Sequence, residues 1–410
     1  MKIKTETKYS KRNTDIDNFL NSFEKLSVKS KNKVTNAKHN KNLFSIAEWG
    51  GGKNEIYGLI NSLTIDELIE KNAFGKTPLF VACEHGQYDV IIALLERLGY
   101  VALNNDKYLL HAAIFNGKMS VINLLLKHLT HEKISEKDEY NCTPLHVACT
   151  YVSFDHTNSI IEKLIDVYDD EQLASADMNG KTCLHLLVIN SGSYQESYKQ
   201  DMMIKILKRI NISNFVTNDG DTIMHIACKN GSVNAVNLLL NWMDIRMLCI
   251  HNAKGNNIMH ELCYNKRYYN DDVTSLVSIA KSLLNYVEYN TFDKKNSNGD
   301  TPFMLACEND YIEIVKVFLN KIKPFSENIT QIRLIMEKYQ KYNYHEKKKQ
   351  IIIDAINGHL YLYASKSAGY STSLDCECNH ENNNNNNRLK YNNGLHDVND
   401  DYDDGLMCDE

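Results

Sequence analysis

Apolar residues recur along the middle of the chain in two alternating kinds of segment. The first kind is short, as in PLFVACEH (78–85) and IMHIACKN (223–230), and the second is longer, as in VIIALLERL (90–98) and AVNLLLNWM (235–243). In the longer segments the apolar residues fall at the three- and four-residue spacing of an amphipathic helix. Each pair therefore predicts two short helices that must stack on neighbouring pairs to bury their apolar faces.

Copies of the short segment recur through the middle of the chain. Seven can be aligned, and they begin at Gly75, Asp106, Asn141, Gly180, Gly220, Gly255 and Gly299. Neighbouring copies lie about 33 residues apart in places and about 40 or more elsewhere, as in a helical repeat whose loops accept insertions. The chain is therefore predicted to contain a repeat array, although its 410 residues would also allow two globular domains.

The residues that open each copy suit the start of a helix. Threonine stands at the head of most copies and suits the N-cap, and proline follows it in three copies, where its missing N–H costs nothing. A glycine two residues before the threonine supplies the backbone conformation of a tight turn. The threonines are Thr77, Thr143, Thr182, Thr222 and Thr301, and the prolines are Pro78, Pro144 and Pro302.

With these residues the sequence resembles the ankyrin repeat family, whose unit reads D-x-x-G-x-T-P-L-H-x-A. The resemblance covers about residues 72–322, and a degenerate copy around Ala47 stands 35 residues before the equivalent Ala82. The resemblance implies an all-α solenoid in which helix–turn–helix units are joined by β-hairpin-like turns. It also implies that the hairpin tips and the first helices line a concave side.

The chain is predicted to have four parts. Residues 1–39 form a basic, flexible arm with a short helix at 17–26, and residues 40–325 form the ankyrin repeat array. Residues 326–365 form a helical C-terminal cap, and residues 366–410 form an Asn-rich and acidic tail. The arm and the tail are expected to be disordered because neither offers enough apolar surface to offset the entropy of ordering.

The arm contains two features that suggest contacts. Segment 17–26 spaces Phe19, Leu20, Phe23 and Leu26 along one helical face, so it either docks on the first repeat or presents a short motif to a partner. The lysine-rich stretch that follows is nearly free of acids. It is either a solvated linker or a contact for nuclear import or nucleic acid.

Cysteine and histidine recur at fixed positions of the repeat. A metal site or a catalytic thiol would be needed once rather than in every repeat, so the cysteines are predicted to be buried as small apolar residues. The resemblance implies that the histidines bond the neighbouring threonine and the turn backbone, and Phe80 and Met304 replace them in two copies. The cysteines are Cys83, Cys149, Cys228, Cys263 and Cys307, and the histidines are His111, His146, His185, His225 and His260.

Motifs for catalysis or cofactor binding are missing from the sequence. It contains no Gly-rich phosphate loop, zinc-protease motif or nucleophile elbow, and the C-x-C-x-H of Cys376, Cys378 and His380 lacks a second half. We therefore assign no catalytic residue, no cofactor and no metal ligand, and we expect a protein that is not an enzyme.

Bulk properties restrict the location and the partner. The net charge of −6 gives no overall bias toward nucleic acid or anionic membranes, and no apolar run reaches the roughly 18 residues of a membrane span. The first residues lack the apolar core of a secretory signal. We expect a monomeric protein of the cytoplasm with reduced thiols, and the lysine-rich arm leaves entry into the nucleus open.

Partner binding is expected at positions that the repeat signature leaves variable. These positions surround the turn glycine and follow the alanine–cysteine pair, and aromatic residues there are favoured because aromatic anchors carry much of the energy of interfaces. The candidates are Phe74, Lys76, His85, Lys107, Phe115, Tyr140, Tyr151, Lys181, Asp219, Lys254 and Tyr264.

Together these features predict an adaptor or scaffold that binds another protein through the hairpin tips and the concave face. One alternative is a nucleic-acid-associated regulator that uses the lysine-rich N-terminal arm. Another is a targeting subunit of a phosphatase or ubiquitin ligase complex, for which the resemblance is the only support. The tyrosine-rich insertions at 151–159, 190–202 and 264–275 are either binding loops or drift.

Overall fold

The structure, a computed structural model, consists of helices joined by turns and loops in the residues that it describes. The described residues are 38–150, 157–190, 196–212, 215–264, 273–287, 294–321 and 346–367. They belong to two compact bodies, Met1–Arg267 and Tyr268–Glu410. Within the described residues, two isolated antiparallel bridges, Ala176 with Thr182 and Val216 with Thr222, are the only β-structure. The predicted all-α repeat fold is confirmed.

The first body consists of consecutive helix pairs, in which each first helix packs against the next one. This is the stacking that the paired apolar segments predict. The first helices are α1 (Lys38–Trp49), α4 (Pro78–His85), α6 (Leu109–Asn116), α9 (Pro144–Thr150), α12 (Cys183–Ile189), α14 (Ile223–Asn230) and α16 (Ile258–Cys263). The second helices are α2 (Lys53–Ser62), α5 (Tyr88–Leu98), α7 (Met119–His128), α10 (Thr157–Val167), α13 (Glu196–Leu207) and α15 (Val233–Leu240). We number the repeats from the one that begins with α1.

A third short helical turn follows the second helix in most repeats, and the sequence analysis did not predict it. In α3, the Thr64 side chain accepts a hydrogen bond from the Glu67 amide while the Glu67 carboxylate accepts one from the Thr64 amide, a reciprocal cap. The fourth residue of each turn is a buried leucine or isoleucine: Leu68, Leu103, Ile134, Leu173 and Leu248. The turns are α3 (Ile65–Ile69), α8 (His131–Ile134), α11 (Asp170–Ala174) and the 3-10 turns Tyr100–Asn104 and Ile245–Cys249.

The predicted N-caps are confirmed. The side chains of Thr77, Thr222 and Thr301 each accept a hydrogen bond from the amide three residues ahead. Asn257 takes the same role at the start of α16, where the chain has no threonine. Asparagine is an equally good N-cap because its side-chain oxygen reaches the same amides.

The turns before the first helices require left-handed backbone. Gly180 and Gly220 have φ of 76° and 75° there, and Asn141 occupies the same place with φ of 57°. Asparagine tolerates this region better than most residues with a side chain. The turn is therefore preserved in the repeat that lacks its glycine.

The five repeat cysteines are buried, as predicted. Burial raises the pKa of the Cys83, Cys149, Cys228 and Cys307 thiols above the ordinary value. These thiols therefore stay protonated at neutral pH and pack as small apolar side chains.

The second body contains α17 (Thr274–Leu283), α18 (Pro302–Glu308), α19 (Ile312–Lys321) and α20 (Glu346–Ser367). Helix α19 packs against the other three, and its Phe318 is buried, as are Ile352 and Ile356 of α20. The predicted C-terminal cap lies outside the described residues from 326 to 345, and its remaining residues are helical in α20.

The predicted arm and tail lie almost entirely outside the described residues, apart from the first two residues of α1 and the last two of α20. None of the described helices combines the length and apolar character needed to cross a membrane.

Candidate partner-binding surface

Backbone hydrogen bonds join the hairpin tips of four consecutive repeats. Each bond runs from the second residue of one tip to the third residue of the tip before it, so the main chain sets the spacing of the side chains along this edge. The bonds link the Met178 amide to Tyr140 O at 2.9 Å, the Asn218 amide to Asn179 O at 2.9 Å and the Ala253 amide to Asp219 O at 2.8 Å.

An acidic or amide side chain closes the tips from inside. Asp138 Oδ1 accepts hydrogen bonds from the amides of Tyr140 at 2.9 Å and Cys142 at 2.8 Å. Asp177 and Asn252 accept the same pair of bonds in their own tips. A side chain that satisfies two turn amides holds the tip in one conformation before any partner binds.

His146 connects the start of its own helix to the next tip. Its Nδ1 accepts a hydrogen bond from the Thr143 amide at 3.2 Å, and its Nε2 donates to Lys181 O at 3.1 Å. Burial lowers the pKa of His146 to about 4, so the ring is neutral at pH 7. The histidine contacts implied by the family resemblance are confirmed here.

His185 lacks one of these contacts. Its Nδ1 accepts a hydrogen bond from the Thr182 amide at 3.1 Å, but its buried Nε2 has no hydrogen-bond partner among the described residues. His111 and His225, in contrast, bond a carbonyl oxygen of the next tip at 2.9 and 3.1 Å. Burial also lowers the pKa of His185, to about 3. The contact between this repeat and the next therefore lacks a bond that His111, His146 and His225 form.

The repeat with phenylalanine in the histidine position uses a different contact. In this repeat Phe80 stands at the histidine position. The Thr77 hydroxyl instead donates a hydrogen bond to Asp106 Oδ2 of the following repeat at 2.6 Å. Burial raises the pKa of Asp106. A carboxylate from the next repeat thus replaces the imidazole as the partner of the threonine.

The structure places ten of the eleven predicted binding residues. Phe115 and Tyr264 are exposed and occupy the same position of their first helices, directly after the cysteine position. Phe115 belongs to the third repeat and Tyr264 to the seventh. Since packed helices lie about 10 Å apart, roughly 40 Å separates the two side chains. Exposed candidates are Lys107, Phe115, Asp219, Lys254 and Tyr264; partly buried ones are Phe74, Lys76, His85, Tyr140 and Lys181; Tyr151 lies outside the described residues.

Lys76 forms an ion pair within its own repeat. Its Nζ lies 2.8 Å from a carboxylate oxygen of Glu84, and the two side chains are only 14% and 16% exposed. The same Nζ lies 5.2 Å from the centre of the Phe80 ring. A partner would have to compete with both contacts to bind Lys76.

Two exposed side chains on this surface are not among the predicted binding residues. Trp49 is 77% exposed and occupies, in the first repeat, the position of Phe115 and Tyr264. The alignment of Ala47 with Ala82 places Trp49 there and could have identified it. Met178, at the second position of its tip, is 52% exposed.

A buried polar cluster lies beside Tyr264. Glu261 occupies a helix position that is aliphatic or alanine in the other repeats, yet its side chain is only 4% exposed. Its Oε1 accepts hydrogen bonds from Asn252 at 2.9 Å and Asn256 at 2.8 Å. Lys229 Nζ lies 3.8 Å from both Glu261 and Asp221 and partly offsets their charges. The cluster fixes the seam between two repeats by hydrogen bonds rather than by apolar packing.

Two asparagines that follow the cysteine region point between repeats. Asn190 Nδ2 donates to Cys149 O at 2.8 Å, and Asn230 Nδ2 donates to Val188 O at 3.5 Å. These side chains connect the ends of neighbouring first helices. The repeat pattern alone would have placed them on the variable surface.

Within the described parts of the chain, no three His, Cys, Asp or Glu side chains are arranged to hold a metal ion. Of the cysteines described there, only Cys249 is classed as exposed.

These features define a helical repeat protein with stacked first helices, bonded tips and one edge of variable side chains. Three family models match the sequence: one described as ankyrin repeats in three copies covers residues 151–247, and two described as a single ankyrin repeat cover 74–102 and 298–329. The chain is an ankyrin repeat protein.

Viral proteins with the same description are similar to this chain. One from Acanthamoeba polyphaga mimivirus is 23% identical over 328 residues, which cover 73% of this chain and 40% of the relative. One from fowlpox virus (strain NVSL) is 35% identical over 85 residues, which cover 21% of this chain and 59% of the relative. The chain thus spans less than two thirds of either relative.

Solved ankyrin structures are also similar. The crystal structure of a protein described as an ankyrin repeat protein gives a TM-score of 0.43 at 19% identity, covering 53% of this chain and 99% of the other. The ankyrin repeat domain of Bcl-3, described as a unique member of the IkappaB protein family, gives a TM-score of 0.40 at 21% identity, covering 58% and 95%.

Proposed function

We propose that this protein is a non-enzymatic adaptor or scaffold that binds another protein through its hairpin tips and the exposed ends of its first helices. Ankyrin repeats are protein–protein interaction modules. The observation that carries the proposal is the ladder of hydrogen-bonded tips from Tyr140 to Ala253. It presents side chains of successive repeats at a spacing that does not depend on the partner.

A pre-ordered surface favours affinity because little conformational entropy is lost on binding. The energy of such an interface is concentrated in a few large side chains that become buried. Trp49, Phe115 and Tyr264 meet this description, since each is exposed and each follows the cysteine position of its repeat. We propose them as anchors, with Tyr140 and Met178 contributing from the tips.

The charges along this surface support a protein partner. Lys107, Lys181 and Lys254 share this surface with the acid Asp219, and Lys76 is already paired with Glu84. Nucleic-acid binding depends on cations that neutralise many phosphates, which this mixture does not supply. The lysine-rich stretch behind the nucleic-acid alternative lies outside the described residues as far as residue 37.

The proposal is tested by quantitative capture of partners with the tagged chain. The variant Trp49→Ala, Phe115→Ala, Tyr264→Ala is compared with the unmodified chain and with a control that carries Tyr198→Ala and Trp242→Ala. The control removes aromatic residues that lie on or just after second helices, 49% and 41% exposed, and Tyr198 also tests whether the insertion 190–202 contributes to binding. We expect the first variant to lose its specific partners at least ~10-fold, since hot-spot truncation costs about 2 kcal/mol or more, and the control to keep them.

Two outcomes would contradict the proposal. One is undiminished capture by the triple variant, and the other is an equal loss by the control. Circular dichroism of all three proteins verifies that any loss does not come from unfolding.

A further inference from the structure

Four apolar side chains lie exposed on the third turns of the first two repeats. Ile65 and Ile69 of α3 are 47% and 49% exposed, and Tyr100 and Val101 of the next turn are 42% and 74% exposed. We call these four residues the apolar edge. They point away from Leu68 and Leu103, which fill the core from the same two turns.

The third turns of the two following repeats do not continue this pattern. His131 and Asp170 occupy the place that Ile65 and Tyr100 hold in the first two repeats. The repeat therefore does not require an exposed apolar residue at this position. The turns that begin with His131 and Asp170 still bury Ile134 and Leu173. Neighbouring exposed apolar residues mark a surface that is covered by something else.

The direction of the chain indicates what lies nearest. Helices α1 and α2 are joined by the three residues Gly50 to Gly52 and contact each other, so they run antiparallel. The start of α1 at Lys38 therefore lies at the same end of the pair as the end of α2, and α3 follows α2 directly. Lys38 therefore lies at the end of the helix pair from which α3 continues.

We propose that residues 17–26 of this chain dock as an amphipathic helix on the apolar edge. Phe19, Leu20, Phe23 and Leu26 share one face of such a helix. A ten-residue helix is about 15 Å long, enough to cross two repeats that lie about 10 Å apart. The mode of binding is that of an amphipathic helix on an apolar groove.

The connecting length and the charges fit this occupant. Residues 27–37 link the segment to α1, and eleven residues reach up to about 40 Å. Residues 64–70, which include Ile65 and Ile69 of the apolar edge, carry three acids and no cation, whereas the linker 27–37 carries three lysines and no acid. Docking brings the lysine-rich stretch next to this acidic turn, and the attraction strengthens the contact at low salt.

The experiment is hydrogen exchange of the full-length chain, followed by peptide mass spectrometry. We expect the amides of residues 19–26 to exchange at least ~10-fold more slowly than in an unstructured peptide, because docking protects them. The double variants Ile65→Ser, Ile69→Ser and Phe19→Ser, Phe23→Ser are expected to remove this protection. The control Ile245→Ser changes the equivalent, 51% exposed isoleucine of the sixth repeat and should leave it unchanged.

Three results would overturn the proposal. The first is that residues 19–26 are unprotected in the unmodified chain, and the second is that their protection survives in the double variant Ile65→Ser, Ile69→Ser. The third is that protection falls on tenfold dilution, which would mean that the segment docks on a second copy of the chain. Exchange in α4 and α5 reports whether the edge variant stays folded. If it does not, Phe19→Ser, Phe23→Ser decides, since docking requires that this variant speed exchange in both 19–26 and 65–69.

Discussion

Replacing single histidines by phenylalanine gives a direct measure of the bonds between repeats. Phe80 occupies the histidine position in one repeat, so the site accepts this side chain. His146→Phe removes both the Thr143 contact and the Nε2 hydrogen bond to Lys181 O. His185→Phe removes the Thr182 contact alone, because its Nε2 has no partner among the described residues.

The difference between the two variants isolates the bond to the next tip. Lys181 O keeps the Asp177 amide as a donor at 2.9 Å, so His146→Phe loses the net value of one hydrogen bond, about 1 kcal/mol. The unpaired buried Nε2 of His185 costs about 1–3 kcal/mol, and His185→Phe removes that penalty. We therefore expect His146→Phe to lower the free energy of unfolding by about 2 kcal/mol more than His185→Phe.

The assay is equilibrium urea unfolding at pH 8, followed by circular dichroism, where both rings are neutral. Hydrogen exchange of the tip 177–181 gives a local reading, and it should speed up in His146→Phe. Equal losses in the two variants, or a larger loss in His185→Phe, would refute the assignment of the Nε2 bond as the contact that joins the repeats.

Three further expectations follow from buried groups. Acidification should lower the free energy of unfolding between pH 6.5, where the histidines of the unfolded chain take up protons, and about pH 4, the pKa of folded His146. Within that range, urea unfolding should show a loss of about 1.4 kcal/mol per pH unit for each such histidine. Tyr168→Phe should cost about 1–2 kcal/mol by urea unfolding, since the buried hydroxyl donates to Ile134 O at 3.0 Å, and the exposed Tyr198→Phe should cost almost nothing. A thiol reagent should label Cys249 in the folded chain and the repeat cysteines only in urea; peptide mapping that finds Cys228 labelled early would contradict its burial.

The candidate surface was only partly predictable from the sequence. The positions of Phe115 and Tyr264 follow from counting along the repeat, because a residue after the buried cysteine must turn toward solvent. The pairing of Lys76 with Glu84 joins residues eight positions apart, and no local rule indicates it. The third turns were missed although Thr64 and Glu67 match a capping box, because the family signature contains only two helices.

What the sequence determined by itself is the repeating unit. The threonine and asparagine caps, the turn glycines and the buried cysteines depend on contacts within a few residues. Because they recur in successive copies, their roles can be predicted from the sequence alone. Tertiary structure decided which side chains remain available to a partner. His185 Nε2, the inward-pointing Asn190, the acid Glu261 and the exposed Trp49 all depend on what the neighbouring repeat places opposite them. Such contacts join residues about 30 to 40 positions apart in sequence, the length of one ankyrin unit, and only stacking brings them together.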